Sequence, residues 1–170
     1  MKPFNDQSGV GLIEVMIALV VTAIGLLGLA ALQGKAQRAE MESYQRSQAL
    51  LLLQDMTNRL RANRAERANY VTNDAGCTNT TTLAGKDLCQ WHAALSGKTE
   101  KLSGKDVGTI INGRGCITGS GDAFTVTVAW QGLAEVTQNN TNTCGSSVIT
   151  NAKLRRTMSI PVRFVDLNPP

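Results

Sequence analysis

The chain has 170 residues, of which 18% are charged and 4% aromatic, and its formal net charge is +4. This length suits one small globular domain with a helical stalk and leaves little room for a second domain. No catalytic constellation is evident, because His92 is the single histidine. The sequence also contains no phosphate-binding loop, dinucleotide fingerprint or calcium loop. We therefore expect a protein that is not an enzyme and has no cofactor or metal.

An apolar segment dominates the first part of the chain. It runs from Val10 to Leu32, and Glu14 is its only charged residue. As a helix it would be about 35 Å long, enough to cross or anchor in a bilayer. A carboxylate in such a segment is costly in lipid, so we interpret Glu14 as a functional residue that needs a partner. The preceding stretch, Met1 to Gly9, is short and polar.

This arrangement resembles the class III signal of type IV pilins, in which a polar leader ends in glycine and the fifth mature residue is glutamate. The resemblance implies that prepilin peptidase cuts between Gly9 and Val10, that the new amine of Val10 is methylated, and that Glu14 is an assembly contact. Many family members begin the mature chain with phenylalanine, whereas this one begins with valine. The implied location is the bacterial inner membrane, with one span and a periplasmic C-terminal domain, and then the pilus.

Two other interpretations of the apolar segment compete with this one. An ordinary secretory signal has an apolar core of about 7–15 residues, whereas this run is longer and contains Glu14. A plain signal anchor would leave the segment uncleaved, with Glu14 near the membrane surface, because charges near helix ends reach the interface at modest cost.

The segment from Gln33 to Asn69 contains no proline and continues with helical periodicity. We predict one helix from Val10 to about Asn69, with residues 10–32 in the membrane or filament core and residues 33–69 packed on the globular domain. The apolar residues at three- and four-residue spacing, which predict its buried face, are Ala49, Leu52, Leu53, Met56 and Leu60.

The globular domain is predicted over residues 70–170. After a polar loop, Asp87 to Leu95 reads as a short helix that ends at Gly97, with Leu88, Trp91 and Leu95 on one face. We predict a short strand at Val107 to Ile111.

Three further segments predict a small antiparallel sheet. Asp122 to Trp130 alternates as a strand, and a glycine-rich turn pairs it with Gly115 to Thr118. After a polar loop, Leu154 to Val165 alternates again, with Pro161 indicating an edge strand or a bulge. The sheet needs an apolar cover, which the long helix offers, so the predicted fold is α+β and pilin-like.

The four cysteines, Cys77, Cys89, Cys116 and Cys144, all follow the apolar segment. An even number in a small exported domain indicates two disulfides, with reduced buried cysteines as the alternative. Three pairings are possible. We favour Cys77–Cys89 and Cys116–Cys144, because each pair brackets a polar loop.

Several stretches resemble the minor pilins of the pilus-modification (PilV) class: Ile13 to Leu19, Gly25 to Gln33, Asp87 to Trp91, and Val126 to Trp130. The resemblance implies a subunit that helps to initiate assembly, with other minor and major pilins and a large tip adhesin as partners. The alternatives are a minor pseudopilin of type II secretion and a DNA-binding or signalling membrane protein with an uncleaved anchor.

Basic residues of the domain raise the question of nucleic-acid binding. We do not expect nucleic acid as a partner, because aromatic residues are not interleaved with them. The basic residues concerned are Lys98, Lys101, Lys105, Arg114, Arg155 and Arg156.

Overall fold

The computed structural model describes residues 10–77, 79–106, 110–137 and 141–165. The chain divides into two compact units, Met1–Met41 and Glu42–Pro170. Helix α1, Val10–Ala62, contributes to both units. The second unit also contains a 3-10 helix at Arg64–Tyr70, helix α2 at Leu83–Leu95, and strands β1 (Lys101–Leu102), β2 (Lys105–Asp106), β3 (Arg114–Ser120), β4 (Ala123–Gln131) and β5 (Arg155–Arg163).

The main sheet has three antiparallel strands in the order β3-β4-β5. A tight turn at Gly121, whose φ of 59° favours glycine, joins β3 to β4 as predicted. A separate small hairpin pairs β1 with β2. The long helix with its small antiparallel sheet confirms the predicted α+β, pilin-like fold.

The core lies between the sheet and the second part of α1. Ala49, Leu53, Met56 and Leu60 are completely buried, as the spacing predicts, whereas Leu52 is only partly buried. Full burial of a leucine or methionine side chain contributes about 1.5–3 kcal/mol, so this face is a main source of stability. The facing residues are Trp91 and Leu95 of α2, Val126 and Val128 of β4, and Val162 of β5.

The prediction that helix α1 continues to Asn69 is wrong at its end. The α-helix ends at Ala62, Asn63 leaves helical geometry with φ −105° and ψ 49°, and a 3-10 helix follows. Contacts between the 3-10 helix and the rest of the domain stabilise this change of direction. Tyr70 becomes fully buried, and Arg67 donates to the Gly121 carbonyl at 2.8 Å.

Helix α2 begins four residues before the predicted start. Thr82 caps it, because its hydroxyl accepts a hydrogen bond from Gly85 N at 3.1 Å. Trp91 and Leu95 are buried, Leu88 is partly buried, and the helix stops just before Gly97.

The prediction of a strand at Val107 to Ile111 is only partly testable. Residues 107–109 lie outside the described residues, and Ile110 and Ile111 are not in a strand. The preceding residues, for which no strand is predicted, form the β1–β2 hairpin. Its two strands have two residues each, too short for an alternating pattern to be seen in the sequence.

The main sheet is covered on one face and partly covered on the other. One face packs on α1, as predicted, and also on α2. On the other, Thr127 and Ala129 are also buried, next to the Cys116–Cys144 pair. The alternating sequence pattern of β4 predicts one buried face, whereas residues on both of its faces are buried from solvent.

Pro161 lies in β5, which is an edge strand as predicted. Phe164 N donates to the Asp122 carbonyl at 2.9 Å. Because hydrogen-bonded pairs alternate along an antiparallel ladder, the backbone N–H groups of even-numbered β5 residues point toward β4, and the backbone N of Pro161 points away from it. The missing N–H of proline therefore removes no hydrogen bond from the ladder.

Gly115 permits the closest packing between β3 and α2. An added Cβ would overlap the Trp91 ring and the Leu95 side chain. We expect Gly115→Ala to lower the free energy of unfolding by about 1–3 kcal/mol, the usual cost of overpacking. Urea unfolding followed by tryptophan fluorescence measures this. Gly76→Ala is the matched control, because its nearest neighbour would be the Asp74 carbonyl at 3.9 Å. Equal stability of the two variants would contradict the packing argument.

Candidate functional site

The first unit presents an uncovered apolar helix. Every residue from Gly11 to Met41 is exposed, and Leu12 and Leu27 each retain 71% of their accessible surface. Judged by length and composition, this is the one helix among the described residues that is long and apolar enough to cross a membrane. Such a surface needs lipid or protein to cover it. The helix therefore fits a membrane anchor that is later buried in an assembly.

Glu14 lies in the second turn of this helix. Its side chain is exposed and forms no ion pair within the part of the chain that the structure describes. The neighbouring Ile13 and Ile17 are about 60% exposed, so Glu14 is a charge on an otherwise apolar surface. Gly9 lies outside the described residues, and helix α1 begins at Val10. Cleavage, methylation and the assembly role of Glu14 remain predictions.

The two disulfides have the pairing favoured from the sequence. Cys77–Cys89 joins the loop after Tyr70 to α2, and Cys116–Cys144 joins β3 to the long loop between β4 and β5. The second bridge is buried, and Arg155 holds the same loop by donating to the carbonyls of Ile149 and Asn142 at 3.1 and 3.2 Å.

A polar network fixes α2 against α1. Arg59 binds Asp55 at 2.9 Å, Asp87 at 3.0 Å and Gln90 at 2.6 Å, and the hydroxyl of Tyr70 donates to Asp87. Although burial lowers it, the hydrogen bonds and charges of Asp87 and Asp55 hold the pKa of Arg59 above its ordinary value. Burial, and then the hydrogen bond to Asp87, raise the pKa of Tyr70 to about 12. Only the Asp55–Arg59 pair, four residues apart on one helix, lies close in the sequence; the contacts with Asp87 and Gln90 join distant parts of the chain and could not be predicted.

A second network begins at Glu42. The Glu42 carboxylate accepts from Leu133 N at 3.0 Å, Ala134 N at 3.2 Å and Arg156 Nη2 at 3.4 Å. It thereby ties α1 to the loop after β4. Arg156, considered above as a nucleic-acid contact, is occupied within the domain, as is Arg155. The six basic residues thus do not act as one free surface.

His92 is half-buried on α2. Within the described ranges, no group of three or more histidine, cysteine or acidic residues could hold a metal ion.

Two family models match the chain. The prokaryotic N-terminal methylation motif matches residues 4–30, and the Tt1218-like model, described as type IV pilin Tt1218, matches residues 31–101. Together they support a type IV pilin. Comparison with curated proteins and with solved structures found no match. The methylation motif includes Glu14 and the exposed part of α1 as far as residue 30, and the Tt1218-like model includes the rest of α1, the 3-10 helix and α2.

Tyr70 makes the second unit sensitive to alkaline pH. Its folded-state pKa of about 12 exceeds the ordinary value of 10.0. The Tyr70 hydroxyl therefore contributes fully to the free energy of unfolding below pH 10, and this contribution is lost as the pH rises through 12. We expect Tyr70→Phe to lower the free energy of unfolding by about 1–3 kcal/mol at pH 7, because a hydrogen bond to a carboxylate is removed. Between pH 10 and 12 the difference from the parent should shrink. Urea unfolding across pH measures both. A constant difference would contradict this assignment.

Proposed function

We propose that this chain is a minor type IV pilin, a structural subunit that prepilin peptidase cleaves between Gly9 and Val10. The observation that carries the proposal is the match of the methylation motif to residues 4–30, a range that contains Gly9, Val10 and Glu14. With this cut Gly9 ends the leader and Glu14 is the fifth residue of the mature chain.

The exposed helix gives the subunit two successive environments. Before assembly its apolar side chains anchor it in the inner membrane, with the disulfide-bonded domain in the oxidising periplasm. During assembly the same side chains leave lipid for a core of neighbouring pilin helices. Small residues such as Gly25 and Gly28 allow close helix packing there, since an added Cβ at either would meet nothing within this chain.

Glu14 then acts as the counter-charge of an α-ammonium in that core. Burying either ion alone costs several kcal/mol, and a pair offsets much of this cost. Such a pair contributes little net stability but fixes the register between subunits, which a helical filament requires.

We assign the subunit to the minor class, acting at the start of assembly near the tip with other minor pilins, major pilins and a large tip adhesin. The resemblance to pilus-modification pilins supports this. The disulfides add support, because neither fastens β5, the last strand. In major pilins a disulfide commonly fastens that region.

Glu14→Ala tests the assembly contact. We expect the variant to be processed like the parent but to be reduced at least about tenfold in sheared filaments, because an α-ammonium in the core loses its counter-charge. Immunoblots of the membrane and filament fractions measure both. Glu40→Ala, which removes an exposed carboxylate from the same helix outside the apolar segment, is the matched control. Normal recovery of the Glu14 variant in filaments would contradict this role.

A further inference from the structure

An open groove of about 470 Å³ lies beside helix α1 in the second unit. Its apolar lining comes from Trp130 of β4, Val136 of the following loop and Met158 of β5, and its polar lining includes Glu42, Arg156 and Thr157. Ser43 and Arg46 of α1 form one side of its rim. A lining that combines apolar side chains with two arginines and one carboxylate suits a segment that is mainly apolar and carries a negative charge.

Two arginines line the groove, but they differ in their partners. Arg156 donates to the Ala134 carbonyl at 2.6 Å and the Lys153 carbonyl at 2.9 Å, and it pairs with Glu42 at 3.4 Å. It is therefore committed to this subunit.

Arg46 is exposed and has no ion-pair or hydrogen-bond partner among the residues that the structure describes. Glu42, one turn earlier on α1, does not neutralise it, because its carboxylate is already held by Leu133 N, Ala134 N and Arg156. The rim thus offers a guanidinium that has no counter-charge within the described chain.

We propose that this groove receives the apolar N-terminal helix of a neighbouring pilin subunit, and that Arg46 binds the carboxylate which that helix carries. The inference rests on the proposed function, since it requires an assembly of pilin helices. The chain itself displays the chemistry of the occupant: Glu14 is a lone carboxylate flanked by exposed apolar residues such as Ile13 and Ile17.

The charges and surfaces of the two partners are complementary. Apolar side chains beside the carboxylate cover Trp130, Val136 and Met158, while the guanidinium of Arg46 replaces the water that the carboxylate loses. A carboxylate has two oxygens and about four acceptor sites, so it can bind Arg46 and an α-ammonium together. Arg46 therefore helps to set the position of the neighbouring helix along the domain.

Site-specific photocross-linking in piliated cells tests the groove. The full chain carries a benzophenone amino acid in place of Ser43 at the rim, or in place of Asn58, an exposed position of the same helix outside the groove lining, as the control. We expect the Ser43 probe to attach to a second pilin, within the first turns of its apolar helix. Arg46→Gln should reduce this yield at least about tenfold, and Arg46→Lys should reduce it less, because it keeps the charge.

Mass spectrometry of the cross-linked peptides decides the outcome. Attachment to lipid, to a protein other than a pilin or to a partner's globular domain would overturn the proposal. The proposal would also be overturned if Arg46→Gln left the cross-linking yield of the Ser43 probe unchanged, or if the Asn58 probe gave the same yield as the Ser43 probe. If the chain is present in sheared filaments but these results fail, only the groove is wrong. If the chain never enters filaments, the proposed function fails as well.

Discussion

The structure depends on a helix that carries apolar side chains on all sides and cannot keep them in water. From Gly11 to Leu32 every side chain is exposed, and large apolar residues predominate. A soluble monomer rarely leaves such an area uncovered, so lipid or other helices must cover it. Glu14 adds a second constraint, because its carboxylate requires a counter-charge wherever the helix is buried. The family models show that the chain is similar to type IV pilins over residues 31–101 and to the N-terminal methylation motif over residues 4–30.

The second unit keeps the rest of α1 in a defined place. Leu53, Met56 and Leu60 pack on the sheet, while Arg59 and Glu42 connect the helix to α2 and to the loop after β4. The buried Cys116–Cys144 bridge and Arg155 hold the loop on the far face of the sheet. The second part of α1 is thus held to the domain by packing, ion pairs and hydrogen bonds.

The sequence predicted features that arise from local periodicity. The apolar helix, the buried face of α1, and β4 with its hairpin follow from the spacing of apolar residues and glycines, and the disulfide pairing favoured among three is the one observed. Features that depend on distant contacts could not be predicted. The helix ends at Ala62 because Arg67 and Tyr70 find partners across the domain, and no local breaker marks the position. The groove beside Arg46 exists only after β4, β5 and α1 come together.

The central claim is that the chain is a processed pilin, and the N-terminus of the mature protein tests it most directly. Intact mass and N-terminal sequencing of the protein from the membranes of the producing bacterium should show a chain that starts at Val10, lacks residues 1–9 and carries a methylated α-amine. A mature chain that still begins at Met1 would contradict the account.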